Sequence, residues 1–548
     1  MQMTINKKRV LKAITLAAAA YGSCLHAQTV DSGSLLRQTE NLPKTLPPLT
    51  SPLLKVAPEP LIKLEGTTVT VTAFSFSGNL KLSAEQLAAA VAPFLNTPLS
   101  FSQLQKAGEA VTTAYREAGW VVSTYLPQQD ISSGVVTLQV VEAVFGKVSI
   151  EAPGPQRIKP EIFSAIAQSA QAVDKPLVAG ALDRALLLME DLPGVSVVGR
   201  LVEGEQHGQT DLVIAAKDKA LVTGTASADN YGSLATGADR LNASISINSP
   251  SGLGDLLTAD LMKTEGSAYE RIAYSLPVSA SGARAGVHLS SLQYSMAGEL
   301  SSISGTAQTK GLDFSYPLIR SQSKNLNLLV TYDSKSFDNT DSTGVTSRGV
   351  NALTLAVNAM QFDSMAGGGM NSVGLSIVSG TVHLSNETDP TAGQFSKASI
   401  SLSRLQTLAN DLTLNVAANM QFANQDLDSS EKIYLGGAGG VRAYPGGEGG
   451  GSEGRTLSIE LQKRLDAQWK LTGFYDYGWL KVMHNNDTTT APNQYELQGF
   501  GASLSWQASQ SIVAKATLAQ RIGDNVTPLD ADGTKKVTRL WFNTSISF

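Results

Sequence analysis

The chain has a single cysteine, Cys24, in 548 residues. Beyond that position no disulfide can staple the fold, and no thiol can serve as nucleophile or metal ligand. Charge is equally sparse. Asp, Glu, Lys and Arg together make up 16% of positions and balance to a formal −5, so there is no basic footprint for nucleic acid. With 42% hydrophobic residues and little net charge, the composition also excludes a disordered chain. Long apolar runs are missing: beyond Leu25 none is long enough for a membrane-spanning helix, which takes about 20 residues. His207, His288, His383 and His484 are scattered without metal-ligand spacing. No G-x-S-x-G, H-E-x-x-H or G-x-x-x-x-G-K-[ST] occurs. The expectation is therefore no enzyme, no metal and no cofactor. The chain is instead rich in glycine, with 49 residues, and in short stretches of alternating polarity. It is too long for one ordinary domain.

The ends of the chain carry signals of their own. Lys7, Lys8, Arg9 and Lys12 flank a small-residue apolar stretch from Val10 to Tyr21, followed by Leu25-His26-Ala27. This reads as a secretory signal peptide over residues 1–27, the apolar part being too short to span as a helix. A lipoprotein with Cys24 as first mature residue is disfavoured, because Tyr21-Gly22-Ser23 lacks the apolar lead residue. Residues 28–66 read as about two helical turns, with Ser32 or Ser34 as cap, and then a linker extended by prolines at 43, 47, 48, 52, 58 and 60. At the other end, Leu540, Phe542, Thr544, Ile546 and Phe548 alternate with Trp541, Asn543, Ser545 and Ser547. That strand, apolar outside and polar inside, suits a closed barrel in lipid, although a soluble sandwich strand alternates too.

Between these ends the periodicity changes twice. Residues 67–144 read as β-α-α-β-β. A strand at Val69–Phe76 precedes a helix that opens with Ser83 and Gln86 as a capping box. A second helix spans Ser102–Ala118, with Gly119 as its αL cap, and strands follow at Val121–Leu126 and Val135–Val144. Residues 145–217 repeat the order: strand Lys147–Glu151, helices Pro160–Ala170 and Val178–Asp191, strands Val195–Val202 and Thr210–Ala215. Residues 218–548 are monotone. Leu241, Ala243, Ile245 and Ile247 face away from Asn242, Ser244, Ser246 and Asn248; Leu457, Ile459 and Leu461 repeat the pattern. About 330 residues at roughly 20 per strand and connection allow about 16 strands, with 14 or an odd number fitting nearly as well. Trp469, Trp479, Trp506 and Trp541 suit an interfacial girdle.

The most unusual stretch is Ile433–Glu448, saturated with glycine yet carrying the lone cation Arg442. On spacing alone a solvated loop fits it as well as a functional one. Downstream, Phe474, Asp476 and Gly478 share one face of a strand, opposite Tyr475 and Tyr477. If the tyrosines face lipid, Asp476 faces the lumen, where a carboxylate can take a bidentate bond from a guanidinium and anchor a loop folded back inside.

These residues resemble the motifs of two-partner-secretion outer-membrane exporters, the haemolysin and filamentous-haemagglutinin secretion proteins. Val441-Arg442-Ala443-Tyr444 is similar to their V-R-G-[FY] loop motif, and Phe474-x-Asp476-x-Gly478 to their F-x-D-x-G strand motif. Glycine is usual where Ala443 stands, so a positive φ there would carry strain. The two β-α-α-β-β units resemble POTRA domains. The resemblance implies a signal peptide, two POTRA units and an antiparallel transmembrane β-barrel of about 16 strands, with a loop around 433–455 folded inward. It implies that Val441, Arg442, Tyr444, Phe474, Asp476 and Gly478 lock that loop to the wall, and that the terminal Phe548 serves as assembly signal. Tyr115, Arg116, Leu126, Gln129 and Asp130 of the first unit would take part in substrate recognition. The implied function is export of a large unfolded exoprotein partner across the outer membrane of a Gram-negative bacterium, without nucleotide hydrolysis and with the POTRA units in the periplasm. Outer-membrane lipid and the barrel assembly machinery would be further partners. The competing readings are an assembly insertase of the same superfamily and a passive porin.

Overall fold

The computed structural model describes residues 30–40, 68–131, 133–151, 156–206, 208–296, 302–384, 389–485, 492–523 and 532–548. The signal peptide and nearly all of the Pro-rich linker fall outside the described residues. The described residues open on helix α1 (Ser32–Glu40). Its cap is Asp31 rather than Ser32 or Ser34: the Ser34 amide donates to Asp31 Oδ1 at 2.7 Å, and the Asp31 amide to Ser34 Oγ at 3.1 Å. Asp31 precedes the helix by one position, and its carboxylate reaches the third amide of the first turn.

The first α+β unit comprises β1 (Thr68–Thr70), β2 (Ala73–Ser77), α2 (Ala84–Val91), β3 (Pro98–Ser100), α3 (Phe101–Glu117), β4 (Val122–Tyr125) and β5 (Val135–Glu142). Ser83 and Gln86 form the reciprocal cap of α2, and Ser100 with Gln103 does the same for α3. Gly119 takes φ +88° after α3. The sheet runs β2-β5-β4, with β2 parallel to β5. Leu87, Val91, Val111, Tyr115 and Leu138 form its core.

The second unit comprises β6 (Val144–Glu151), α4 (Pro160–Ala170), α5 (Ala179–Glu190), β7 (Val195–Glu203) and β8 (Gln209–Asp218), with sheet order β6-β8-β7. Strand β6 starts earlier than the pattern suggests, because Val144 and Phe145 pair with Gln209 and Thr210 before a bulge. Backbone bonds weld the two units together: Leu177 donates to Ala143 O at 2.8 Å and Ala179 to Gly119 O at 3.1 Å.

Sixteen antiparallel strands then close into a barrel. They run from β9 (Val222–Asp229) and β10 (Arg240–Asn248) to β19 (Leu412–Ala423), and from β22 (Glu453–Arg464) and β23 (Trp469–Lys481) to β26 (Thr538–Ser547); a small ribbon, β20 (Ile433–Tyr434) with β21 (Gly450–Gly451), sits in the loop between. Leu241, Ile245, Leu461, Leu540 and Phe542 are exposed on the outside, as the alternation requires of a wall that meets acyl chains. Several strands exceed the span of a bilayer. β15 (Lys324–Asp341) has 18 residues and β16 (Gly344–Asp363) has 20. Beyond the exposed Tyr332, the outward positions of β15 become Ser334, Ser336 and Asp338. The lipid band therefore ends there, and the ladder continues into water.

The short turns of the barrel sit on the second unit, which marks that end as periplasmic if the units are periplasmic. Arg320 grips Asp191 through Nε and Nη2, each at 2.8 Å. Arg184 Nη2 donates to Pro317 O at 2.7 Å, and the Lys159 amide to Gly252 O at 3.1 Å. Closure joins the last strand to the first over Asn543↔Asp229 to Ser547↔Thr225. The Asn230 side chain then extends the ladder, donating to Leu540 O at 2.9 Å and accepting from the Phe542 amide at 2.8 Å.

Arg320→Ala removes both bonds to Asp191 at this joint. Limited proteolysis should then cut faster near residues 217–221, while the heat-modifiable gel mobility of the barrel stays unchanged.

Candidate functional site

The loop between β19 and β22 leaves the end of the barrel opposite the α+β units, yet its residues are buried. Glycine makes this path possible. Leu435 O accepts from the Val441 amide at 2.7 Å, a closure so tight that a Cβ at Gly440 would collide with that carbonyl. Gly437 takes φ +108° and Gly447 φ +81°, conformations that side chains disfavour. The resulting knot carries Leu435, Val441, Ala443 and Tyr444 into an apolar cluster with Phe474, Leu480, Leu497 and Ala519 of the wall.

Arg442 stands at its centre. Nε donates to Asp476 Oδ2 at 2.8 Å and Nη2 to Asp476 Oδ1 at 2.7 Å, the bidentate fork; the Arg442 amide adds a third bond to Oδ2 at 3.1 Å. Nη1 reaches Glu460 Oε1 at 2.6 Å and Nη2 reaches Ser458 Oγ at 3.0 Å, while Ser458 donates to Asp476 Oδ1 at 2.8 Å. The guanidinium lies 3.5 Å from the centroid of the Phe474 ring, and Trp541 Nε1 donates to Arg442 O at 2.7 Å. Tyr444 is fully buried, with Arg521 4.3 Å above its ring. Gly478 leaves the room that Leu435 and Val441 occupy, since a Cβ there would stand 3.1 Å from each. All six residues of the expected lock meet here.

Ala443 needs no positive φ: among the described residues, the non-glycine positions with positive φ are Asn96, Asp174, Ser249 and Ala366. Its methyl instead presses on the wall at Gly499, where a Cβ would lie 2.5 Å from Ala443 Cβ.

Glu460, Ser458 and Trp541 are additional members of the site. Strand parity carried the signal for the first two, because Leu457, Ile459 and Leu461 face out and β22 pairs Ser458 with Asp476. Trp541 does not belong to a girdle: it faces inward, 6% exposed, with its ring edge on Tyr231. Trp469 and Trp506 do stack on the outside, near the short turns.

Helix α1 fills the lumen beside the loop. Leu35 and Leu36 pack into a cluster with Leu292, Phe337, Val350, Phe395 and Leu427. Asp31 pairs with Arg348 at 2.8 Å, the Ser32 amide donates to Asn339 Oδ1 at 2.9 Å, and Ser290 Oγ donates to Glu40 at 3.1 Å.

The other expected site residues are spread elsewhere. Phe548 lies at the seam, where its backbone exchanges two bonds with Gly224 and its side chain is exposed. In the first α+β unit, Tyr115 is wholly buried and cannot belong to a recognition surface. Burial, followed by the Glu142 carboxylate, pushes its phenol up to about 12, so it stays protonated and donates to Glu142 at 2.9 Å. Gln129 braces its loop against Thr137, accepting from the amide at 2.6 Å and donating to the carbonyl at 2.7 Å. Leu126 is half-buried, and Arg116 and Asp130 are exposed.

Asp476→Ala leaves the guanidinium with Glu460 as its one remaining carboxylate and breaks the fork. Breaking a buried pair in this way costs on the order of 3–5 kcal/mol. Protease added to intact barrels should then cut between residues 433 and 452, sites protected in the parent chain.

Comparison with known proteins places these features. Residues 208–506 match the family described as haemolysin secretion/activation protein ShlB/FhaC/HecB, and residues 69–143 match the ShlB-type POTRA domain. The Heme/hemopexin transporter protein HuxB of Haemophilus influenzae (strain 86-028NP) is 25% identical over 474 residues, 82% of this chain and 83% of HuxB. The outer membrane transporter CdiB of Escherichia coli O6:K15:H31 (strain 536 / UPEC) is 28% identical over 221 residues, 40% of this chain and 36% of CdiB. The solved structure of CdiB from Escherichia coli shares the fold, with a TM-score of 0.69 at 19% identity and full coverage of both chains.

Proposed function

The chain belongs to the haemolysin secretion/activation protein family, and on that premise we propose how its parts carry out export. It is an outer-membrane transporter of the two-partner secretion type, delivering a partner exoprotein. In our reading, residues 1–27 direct the chain out of the cytoplasm and 28–66 place α1 in the lumen. Residues 67–144 and 145–217 receive the client in the periplasm, and 218–548 form the conduit, anchored in outer-membrane lipid and inserted by the barrel assembly machinery through the strand that ends at Phe548. The exoprotein crosses unfolded, no nucleotide is hydrolysed, and no catalytic step is assigned.

The observation that carries this reading is the lock: a loop from the far end of the barrel held inside it by Arg442 on Asp476, above two POTRA units, the second hydrogen-bonded to the short turns. A passive porin has no use for the units, and an open diffusion pore no use for the lock. Client capture by strand addition fits the first unit best. Its edge strands β2 and β4 carry no charged residue, whereas the edges of the second unit carry Lys147, Glu151 and Arg200. Charges on an edge discourage strand addition, and bare edges admit it. The client's folding outside would then pull the equilibrium outward.

Culture supernatants compared with and without this protein should differ by one large polypeptide. Depletion of many outer-membrane proteins would instead identify an insertase, and a change limited to small-solute permeability would identify a porin.

Arg442→Lys keeps the charge but loses the fork, the Ser458 bond and the stacking on Phe474. Secretion should fall about as far as in Arg442→Ala, at unchanged barrel level in the membrane. Full secretion by the lysine variant would show that a point charge suffices and that the fork geometry does not matter.

A further inference from the structure

The knot around Arg442 is not the loop's only hold. Eleven to fourteen positions earlier the loop passes through Asp428-Ser429-Ser430-Glu431, a segment whose acids are buried against other strands. Glu431 is 3% exposed. One of its carboxylate oxygens lies 2.8 Å from Lys335 Nζ on β15 and the other 2.7 Å from Lys397 Nζ on β18 (Gly393–Ala409). Its backbone carbonyl is held as well, by Lys397 Nζ at 2.8 Å and by Gln421 Nε2 at 3.2 Å. Asp428 lies 2.8 Å from Arg348 on β16, and folds the turn by accepting from the Ser430 amide and hydroxyl at 2.9 and 2.7 Å.

We propose that Asp428–Glu431 is a second anchor of the loop, holding it to the wall formed by β15, β16 and β18 independently of the Arg442 lock on β22 and β23. Three observations carry the inference. First, the partners lie on a separate arc of the barrel and share no residue with the Arg442 site. Second, every wall group that faces the two carboxylates is a cation, Lys335, Lys397 or Arg348, the reverse of the first lock, where the loop brings the cation. Third, the anchor is deeply buried, with side-chain exposures of 10, 3 and 2% for Lys335, Glu431 and Lys397. Removing one member of such a set strands its partners without solvent, which is strongly unfavourable. The sharing of Arg348 adds a consequence. It holds Asp31 of α1 and Asp428 of the loop at once, and Ser429 Oγ bridges by accepting from Arg348 and donating to Asp31, each at 2.8 Å. If α1 withdraws, Arg348 keeps Asp428 as counter-ion, so the helix can leave without orphaning a buried charge and the loop stays tethered.

The functional consequence rests on the export reading, but the test does not. Leu427 is 1% exposed, beside the second anchor, and its side chain bonds to nothing polar. In full-length protein carrying Cys24→Ser and Leu427→Cys, labelling from outside by a membrane-impermeant maleimide reads the local position of the loop, while heat-modifiable mobility reports that the barrel is folded. Glu431→Gln should raise the labelling rate about tenfold or more, as the tethered state loses its advantage. Arg442→Ala should raise it much less, and the two together should exceed either alone. Lys335→Gln, which leaves Glu431 paired with Lys397, should give an increase of a few fold. It replaces Glu431→Gln as the deciding variant if the latter does not fold. Unchanged labelling in the deciding variant overturns the proposal, as does labelling by Arg442→Ala that equals the effect of Glu431→Gln. Because secretion is not the readout, failure of the export reading leaves this outcome interpretable.

Discussion

A guanidinium inside a protein hollow has few ways to be comfortable, and the architecture follows from satisfying one of them. Desolvating a cation is offset only by close counter-charge and complete hydrogen bonding. Arg442 donates its fork to Asp476, a further bond to the Glu460 carboxylate and another to the Ser458 hydroxyl, and lies on the face of Phe474. These groups come from two neighbouring wall strands, and Trp541 from β26 holds the carbonyl of the same residue. No displacement of the loop by even one residue keeps that set. The demands on the surroundings follow: glycine at 440 to turn sharply, at 478 to admit Leu435 and Val441, and at 499 to admit the methyl of Ala443.

With the loop so placed, the lumen holds two inward elements. Helix α1 and the loop fill it together, stitched to each other where Arg37 Nε donates to Lys432 O at 3.3 Å and through the shared Arg348. Their contacts differ in balance: the helix contributes Leu35 and Leu36 to an apolar cluster and one ion pair through Asp31, whereas the loop adds the buried charges of Arg442, Asp428 and Glu431 to its own apolar knot. Apolar burial is non-directional and can be re-formed against an incoming chain, but an ion pair lost in a dry site has no substitute.

The wall of this molecule was legible from period-two alternation, because a strand between lipid and lumen has to alternate. Leu241, Leu461 and Phe542 lie where that rule puts them. The pairing of Arg442 with Asp476 came from motif resemblance; parity only placed Asp476 inside. Parity also turned Ser458 and Glu460 inward, but their role depends on the register of β22 against β23, which alternation leaves undetermined. Trp541 faces inward, as the parity of its own strand requires, against the interfacial preference of tryptophan. Tyr115 was assigned to a surface because nothing in its immediate sequence reveals that Glu142, 27 residues later, receives its hydroxyl. The position of α1 was beyond reach for the same reason on a longer scale: its partners Asn339 and Arg348 are 307 and 317 residues away, and nine residues do not encode a docking site at that distance.

The asparagine that finishes the seam has an implication for how the molecule comes into being. Asn230 and its partner carbonyl on Leu540 are 310 residues apart, so the ring joins the first strand of the wall to its last. Such a contact forms late, since the entropy of bringing distant points together grows with the intervening length. Until the last strand pairs with the first the wall is an open sheet with two raw hydrogen-bonding margins. A chain shortened by its last strand would stay in that condition, exposing the margins to any neighbour that offers a strand.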